Sequence, residues 1–293
     1  MRRLRVCSAC TGIVLAFVFA ACSSAKMEEA HEVSPLALLD TDSSIYMSIP
    51  EAQQETAVRL MTAAMPALNS ADAAKIASRC DVLYAGISTV QDKSRLQLAV
   101  RGSFPAIGVS ASLTEKKGWS KTKKSYDGGA MPFSTNVYES AAYGGIQLAF
   151  PTPDLLCAGS DVDPLLQKFS AMPAGVPELP QFSWIMEPQA DIKFYVTEPG
   201  QYIQALLGSA VELSVESAYG TLVQAQKQDT FVMDFYVQLK SSNNLAVLAM
   251  LSLVKLSFGM MGADVEQDGD TLIHITGLEV TADQIAQMFS LSR

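Results

Sequence analysis

Apolar and polar residues alternate repeatedly along this chain, and a side-chain period of two fits only a pleated strand. "SSIYMSIP" (43–50), "DVLYAGISTV" (81–90), "RLQLAVRGSF" (95–104), "GGIQLAF" (144–150), "ADIKFYV" (190–196), "TFVMDFYVQL" (230–239) and "DTLIHITGL" (270–278) all carry the pattern. Turn residues separate them in pairs: Gln91-Asp92-Lys93, Gln228-Asp229 and Asp268-Gly269-Asp270. Such spacing predicts antiparallel hairpins, the last joining 263–267 to 271–277.

Helical stretches interrupt the strands in a repeating order. The first copy reads strand 44–49, helix 51–65, hairpin 82–103, connector 105–132, hairpin 133–150, then strand and helix over 155–170. The second reads strand 190–196, helix 199–209, hairpin 211–240, connector helix 242–261, hairpin 263–277, helix 281–290. Asp163 and Thr281 stand as helix N-caps. The expected fold is α+β: a layered α/β/α body of antiparallel hairpins covered by amphipathic helices, with an internal duplication. Its repeats span 36–172 and 190–293, joined by a Pro-rich bridge at 173–189. On helix 51–65, Ala57, Val58, Met61, Ala64 and Met65 share one apolar face, while Glu55, Arg59 and Thr62 point away. That face suits a helix on a sheet, or one that meets a membrane.

The first 21 residues are a different kind of segment. Arg2, Arg3 and Arg5 precede an apolar run from 11 to 19, and Ala20 and Ala21 come before Cys22. This is the anatomy of a secretory signal, with an apolar run too short to span a bilayer. A cysteine after the small residues resembles a bacterial lipoprotein signal, in which that cysteine is acylated and becomes the mature N-terminus; the alternative is an ordinary signal peptide. The Cys7–Cys10 spacing lies in the discarded segment and carries no chemistry. Residues 22–35 are polar and read as a lipidated tether. The full chain has 21 basic and 30 acidic residues; without Arg2, Arg3 and Arg5, 18 basic residues remain and the net charge is −12. That charge argues against nucleic acid and against electrostatic attraction to anionic lipid, so membrane affinity must come from apolar burial.

One segment stands apart. From 245 to 261 the chain carries a single charge, Lys255, among leucines, valines and methionines. As a helix it is about 25 Å long, short against a hydrocarbon core of about 30 Å, and strands flank it on both sides. A permanent span is therefore excluded, and two readings stay open. The helix fills a core, or it shields an apolar cavity in solution and docks into lipid. Docking would bury roughly 300–500 Å² of apolar surface, on the order of 10 kcal/mol as an upper figure. The residues expected to line it are Leu245, Leu248, Leu251, Val254, Phe258 and Met261. The first copy's connector is its polar counterpart, with Lys116, Lys117, Lys121, Lys123 and Lys124 around Trp119. Trp with flanking lysines suits the headgroup level of a membrane, as it also suits a solvated loop.

Catalysis finds little support. Of the two histidines, His31 lies in the tether and His274 in a strand, and there is no GxSxG, Walker or GxGxxG motif. No Cys/His cluster has metal spacing, so no cofactor or metal is expected. Cys80 and Cys157 could pair or remain buried thiols.

With its loose spirochaetal lipobox ending at Cys22, its duplicated α+β plan and helices 51–65 and 242–261, the chain resembles the treponemal outer-membrane-associated lipoproteins that insert amphipathic helices into bilayers. The resemblance spans the mature chain. It implies an α/β/α body with an apolar cavity, acylation of Cys22 (palmitate), and attachment to the periplasmic face of the outer membrane. It also implies membrane-sensing helices and carriage of an apolar ligand such as a phospholipid or glycolipid, and it supplies no catalytic residues. The expected function is therefore a lipid-anchored, non-enzymatic protein that binds membrane lipids and alters permeability, either alone or as a homodimer. The alternative is a structural or assembly lipoprotein that binds other envelope proteins.

Overall fold

The computed structural model describes residues 33–64, 69–90, 93–127, 132–171, 182–187, 191–197, 199–200, 202, 215–227, 230–240, 244–281 and 284–285. Twelve strands form one sheet: β1 (Ile45–Pro50), β2 (Cys80–Val90), β3 (Lys93–Gly102), β4 (Ser120–Tyr126), β5 (Phe133–Ser140), β6 (Ile146–Thr152), β7 (Leu155–Gly159), β8 (Ile192–Val196), β9 (Val215–Gln224), β10 (Thr230–Leu239), β11 (Asp264–Asp268) and β12 (Leu272–Thr281). The strand order is β11-β12-β10-β9-β8-β1-β2-β3-β7-β6-β5-β4. Neighbours pair antiparallel throughout. At the middle, β1 meets β8 with Tyr46 opposite Tyr195 and Ser48 opposite Lys193. The helices are α1 (Gln54–Ala64), α2 (Ser70–Ala77), α3 (Ala106–Ser112), α4 (Asp163–Ala171), α5 (Phe182–Met186) and α6 (Asn244–Met260).

Alternation sorts each strand's side chains to two faces. Ile45, Met47 and Ile49 of β1 join a core cluster with Ala57 and Met61 of α1, Ala73 and Ala77 of α2, and Leu251, Val254 and Phe258 of α6. Tyr46 points the other way, into a cluster with Leu36, Leu38, Leu165, Leu166, Phe169 and Ile185. Cys80 belongs to the first cluster and Cys157 to the second. They are separate buried thiols, which settles the pairing question, and burial pushes each up to about 12.

The sheet ends on charged strands. Lys121, Lys123 and Lys124 stand on β4, and Asp264, Glu266 and Asp268 on β11. Rows of charge on an unpaired edge oppose further strand addition. Here the lysine-rich connector expected at 105–132 turns out to be ordered structure, comprising α3, a 3-10 turn at Glu115–Lys117 and the edge strand β4.

Two other expectations shift. Within the segment read as tether, Val33 and Pro35 are buried against the sheet together with residues 36–39. Asp163 does not cap α4. Asp161 Oδ1 accepts the Asp163 N–H at 3.0 Å, while the Asp163 carboxylate accepts from Lys124 Nζ at 2.8 Å and from Tyr126 at 2.6 Å. Burial pushes that carboxyl upward, but Lys124 and Tyr126 outweigh it and hold it below the usual range. Thr281 does cap: its Oγ1 accepts from the Gln284 N–H at 3.2 Å, and Gln284 Oε1 accepts the Thr281 N–H at 2.8 Å. That reciprocal pair is a capping box. Met65, most of helix 199–209 and most of helix 281–290 lie outside the described residues.

Candidate functional site

The described residues line a partly open apolar cavity of about 340 Å³ on the α1/α2 side of the sheet. Strands β2, β3, β6 and β7 supply its floor through Leu83, Leu98, Val100, Leu148, Leu156 and Ala158. Phe104 and Phe150, with ring centroids 5.7 Å apart, close one wall. Helix α2 lies along the rim with Asp72, Lys75 and Ile76, followed by Arg79, and α3 covers the cavity with Gly108, Val109 and Ser112, followed by Leu113.

The two helices are built differently. Helix α2 is capped by Asn69, whose side chain accepts the Asp72 N–H at 2.9 Å while Asn69 Nδ2 donates to the Asp72 carboxylate at 2.8 Å. Helix α3 follows Pro105, has no side-chain cap, and buries none of its residues. Its Val109 is half-buried over the cavity, while Ile107 is 86% exposed. A short helix without a cap and without a buried residue is held by few interactions.

Trp119 and Tyr143 form the polar-edged end, with ring centroids 5.6 Å apart. Gly118, at φ +82°, ends the 3-10 turn in the left-handed region that favours glycine. The Trp119 backbone N–H then donates to Thr114 O at 3.1 Å, and the indole lines the cavity. Tyr143 donates its hydroxyl to the Asp72 carboxylate at 3.1 Å, and Lys75 donates to the same carboxylate at 2.9 Å. Lys75 chiefly, with Asn69 and Tyr143, holds that carboxyl below its ordinary value.

The sequence-nominated residues divide. Met61, Trp119 and Lys117 line the cavity, and Val58 packs half-buried against the same core cluster. Lys116, Lys121 and Lys123 are exposed, Lys121 lying over the Tyr138 ring at 5.8 Å, and Lys124 is held by Asp163. On α6, Leu251, Val254 and Phe258 are core residues, Phe258 being 1% exposed, and Met261 is half-buried. Among the described members of that set, Leu248 alone is exposed. Leu245 falls on α6, where its side chain lies outside the described residues, as does Cys22. Sequence reasoning missed the exposed apolar residues Ile107 and Leu256; Met260, one of the methionines that mark this helix as adaptable, is exposed as well. A helical wheel does not separate exposed from buried here, because the buried Leu251 lies as near the polar arc Ser252–Lys255–Gly259 as the exposed Leu256. Sequence reasoning also missed the whole of α2.

His274 is half-buried and hydrogen-bonded to Asp234 at 2.6 Å, its ring stacked on Tyr236 at 4.2 Å. Among the described residues no His/Cys/Asp/Glu group is placed to hold a metal, and no helix is long and apolar enough to cross a membrane.

Solved structures of crystal forms I, III and IV of TP0453 share this fold. The first matches with a TM-score of 0.67 at 18% identity over 90% of this chain and 99% of that one. The second matches at 0.63 and 19% over 89% and 99%, the third at 0.59 and 17% over 89% and 98%. No curated protein matches the chain. The family model of the outer membrane-associated lipoprotein TP0453, from the spirochaete Treponema, matches residues 30–286. The chain therefore belongs to the TP0453 family of outer membrane-associated lipoproteins.

Proposed function

We propose that this lipoprotein carries an apolar ligand in the cavity between α2, α3 and the sheet, and meets the membrane with the side of the molecule on which that cavity lies. The acylated residue is Cys22, and the body hangs from the periplasmic face of the outer membrane. The role is binding, not catalysis.

The cavity carries this reading. Its floor and walls are apolar, α3 lies over it with no buried residue, and its volume of about 340 Å³ falls in the range of ligand pockets, about 300–1,000 Å³. Met260 (82% exposed), Leu256 and Leu248 of α6 support the membrane-facing part. Helices α3 and α6 both pack on the core cluster that contains Met47 and Met61, so Ile107 and these three residues lie over the same face of the sheet. Leu248, Leu256 and Met260 share one helix, and exposed large apolar groups close together mark an interaction surface.

We also read the sheet as an internal duplication with helices on both faces. Outward from the middle, the order β1-β2-β3-β7-β6 corresponds to β8-β9-β10-β12-β11. Helix α3 follows β3 as α6 follows β10.

Flotation with phospholipid vesicles, using protein carrying Cys22→Ser so that no acyl chain contributes, tests the membrane-facing part. The protein should float, and Leu256→Asp with Met260→Asp should reduce flotation at least tenfold while leaving the unfolding midpoint unchanged. Equal flotation of the double variant would overturn it. Aspartate at Leu251 or Val254 would not discriminate, because both are buried and the fold itself would fail.

A further inference from the structure

The cavity's rim carries more positive charge than its apolar function requires. Lys75, Arg79 and Lys117 all line it, against one acid, Asp72. Asp72 is already engaged by Lys75, Asn69 and Tyr143, so that set is closed and neutral overall. Arg79 and Lys117 are left over. Among the described residues the Arg79 guanidinium makes no ion pair, and Lys117 Nζ donates only to the Ala111 carbonyl at 3.3 Å.

Both are held in place through their backbones. Arg79 sits just past the end of α2, and its carbonyl accepts the Ser103 N–H at 2.9 Å. That contact needs Gly102, where an added Cβ would lie 2.0 Å from Arg79 O. Lys117 belongs to the turn that Gly118 closes. Their side chains are exposed, whereas Leu98, Val100, Leu148, Leu156 and Ala158 at the floor are buried. The site is therefore amphipathic, with an apolar floor below a cationic rim, in a chain whose formal net charge is −9. An anion reaching this rim meets local charge opposite to that of the molecule as a whole.

We infer that the cavity selects single-chain amphiphiles with an anionic headgroup, the chain lying on the apolar floor and the carboxylate or phosphate meeting Arg79 and Lys117. This deepens the apolar-ligand function proposed above and rests on it. Arginine matches a carboxylate or phosphate with paired donors, and lysine adds a point charge. A cavity of about 340 Å³ lies at the small end of ligand pockets, which suits one acyl chain better than two.

Trp119 is the natural reporter, because it lines the cavity and the chain has only one other tryptophan, Trp184. Lys193 Nζ donates to the Trp184 and Glu187 carbonyls and lies over the Trp184 ring, 4.8 Å from its centroid, so Trp184→Phe keeps both acceptors and an aromatic face beneath the ammonium. In this background, Trp119 emission is titrated with dodecanoate, dodecyl phosphate, dodecanol and dodecyltrimethylammonium below their micellar concentrations, and with inorganic phosphate. The two anions should bind at least tenfold more tightly than dodecanol, the ammonium more weakly still, and phosphate alone should leave the emission unchanged. Arg79→Gln with Lys117→Gln should abolish the preference for anions yet keep dodecanol binding, whereas Lys75→Gln should leave the preference within about twofold.

If dodecanol or the ammonium binds as tightly as the anions, the selectivity is overturned while the apolar cavity stands. If phosphate alone binds as tightly as dodecyl phosphate, the rim is a free-anion site and the chain plays no part, which also overturns it. Binding by none of the dodecyl compounds defeats both the selectivity and the cavity function beneath it.

Discussion

Helices α3 and α6 hold corresponding places in the strand order, the one after β3 and the other after β10, yet they are physically opposite. Helix α3 has seven residues, no side-chain cap and nothing buried, and it lies over empty apolar space. Helix α6 has 17 residues and drives Leu251, Val254 and Phe258 into the core, where Phe258 meets Phe235 edge-on with centroids 5.9 Å apart. One connection covers a space and the other fills one. Opening α3 would uncover the cavity at the cost of few contacts. Lifting α6 would expose three core side chains, each worth about 1.5–3 kcal/mol of burial. The cavity end is therefore where the molecule yields first, whereas α6 keeps Leu248, Leu256 and Met260 exposed without leaving its seat.

Phe258→Ala gives the largest effect that could break this contrast. Removing a fully buried ring should cost about 3–5 kcal/mol. Val109→Ala on α3 should cost about 1 kcal/mol or less, since its side chain is half-buried and already borders a void. Urea unfolding of the two variants measures both. Equal losses would mean that α3 is as firmly seated as α6, and the division into cover and filler would fail.

A smaller change sharpens the same point from outside α6. Gly259 is exposed near the end of the helix, and an added Cβ meets nothing within 4 Å. Gly259→Ala should therefore stabilise by about 0.5–1 kcal/mol through helix propensity alone, read as a rise in the thermal midpoint. A loss instead would show that something covers this side of α6 in solution.

The strands were legible because alternation is a local signal. The hairpins at 82–103 and 263–277 fall within a few residues of β2–β3 and β11–β12. The pairing of β1 with β8 was not legible, because it joins residues about 150 positions apart and no turn records it. Helix α2 was missed because "SADAAKIA" has alanines where a longer apolar stripe would announce a helix, and Asn69 was the only start signal. The lysines of β4 were read as solvated or interfacial because an edge strand exposed along most of its length resembles a loop in composition. For α6, the sequence marked the element correctly but not its orientation. A helix apolar on nearly every side has little amphipathic contrast, so Leu251 and Leu256 look alike until packing buries the first and exposes the second. A cavity was expected from the resemblance and, on one reading of 245–261, beneath that helix; it lies under α3 instead, with no described residue of α6 in its lining. That lining was not legible, since it joins residues from 61 to 158 that no local pattern connects.

Asp72 gives the smallest effect, and it probes the rim of the cavity. Lys75, Asn69 and Tyr143 hold its carboxyl below the ordinary value of 3.8. The folded protein therefore binds fewer protons there than the unfolded chain does at pH values near and below 3.8. The resulting stabilisation is complete above the ordinary value and disappears as pH falls through the lowered one. Because the side chains of Asp72 and Lys75 are 39% and 76% exposed, solvent screens the pair, and the whole effect should be about 0.3–1 kcal/mol. Asp72→Asn should thus lower stability slightly at pH 7, with the difference from the unaltered protein closing toward pH 2, as followed by urea unfolding at each pH. A difference that stays constant down to pH 2 would mean that shape and hydrogen bonding, not charge, tie Tyr143 to α2. The rim would then owe its order to packing, and its neutral pair would no longer explain why only Arg79 and Lys117 remain free to meet an anion.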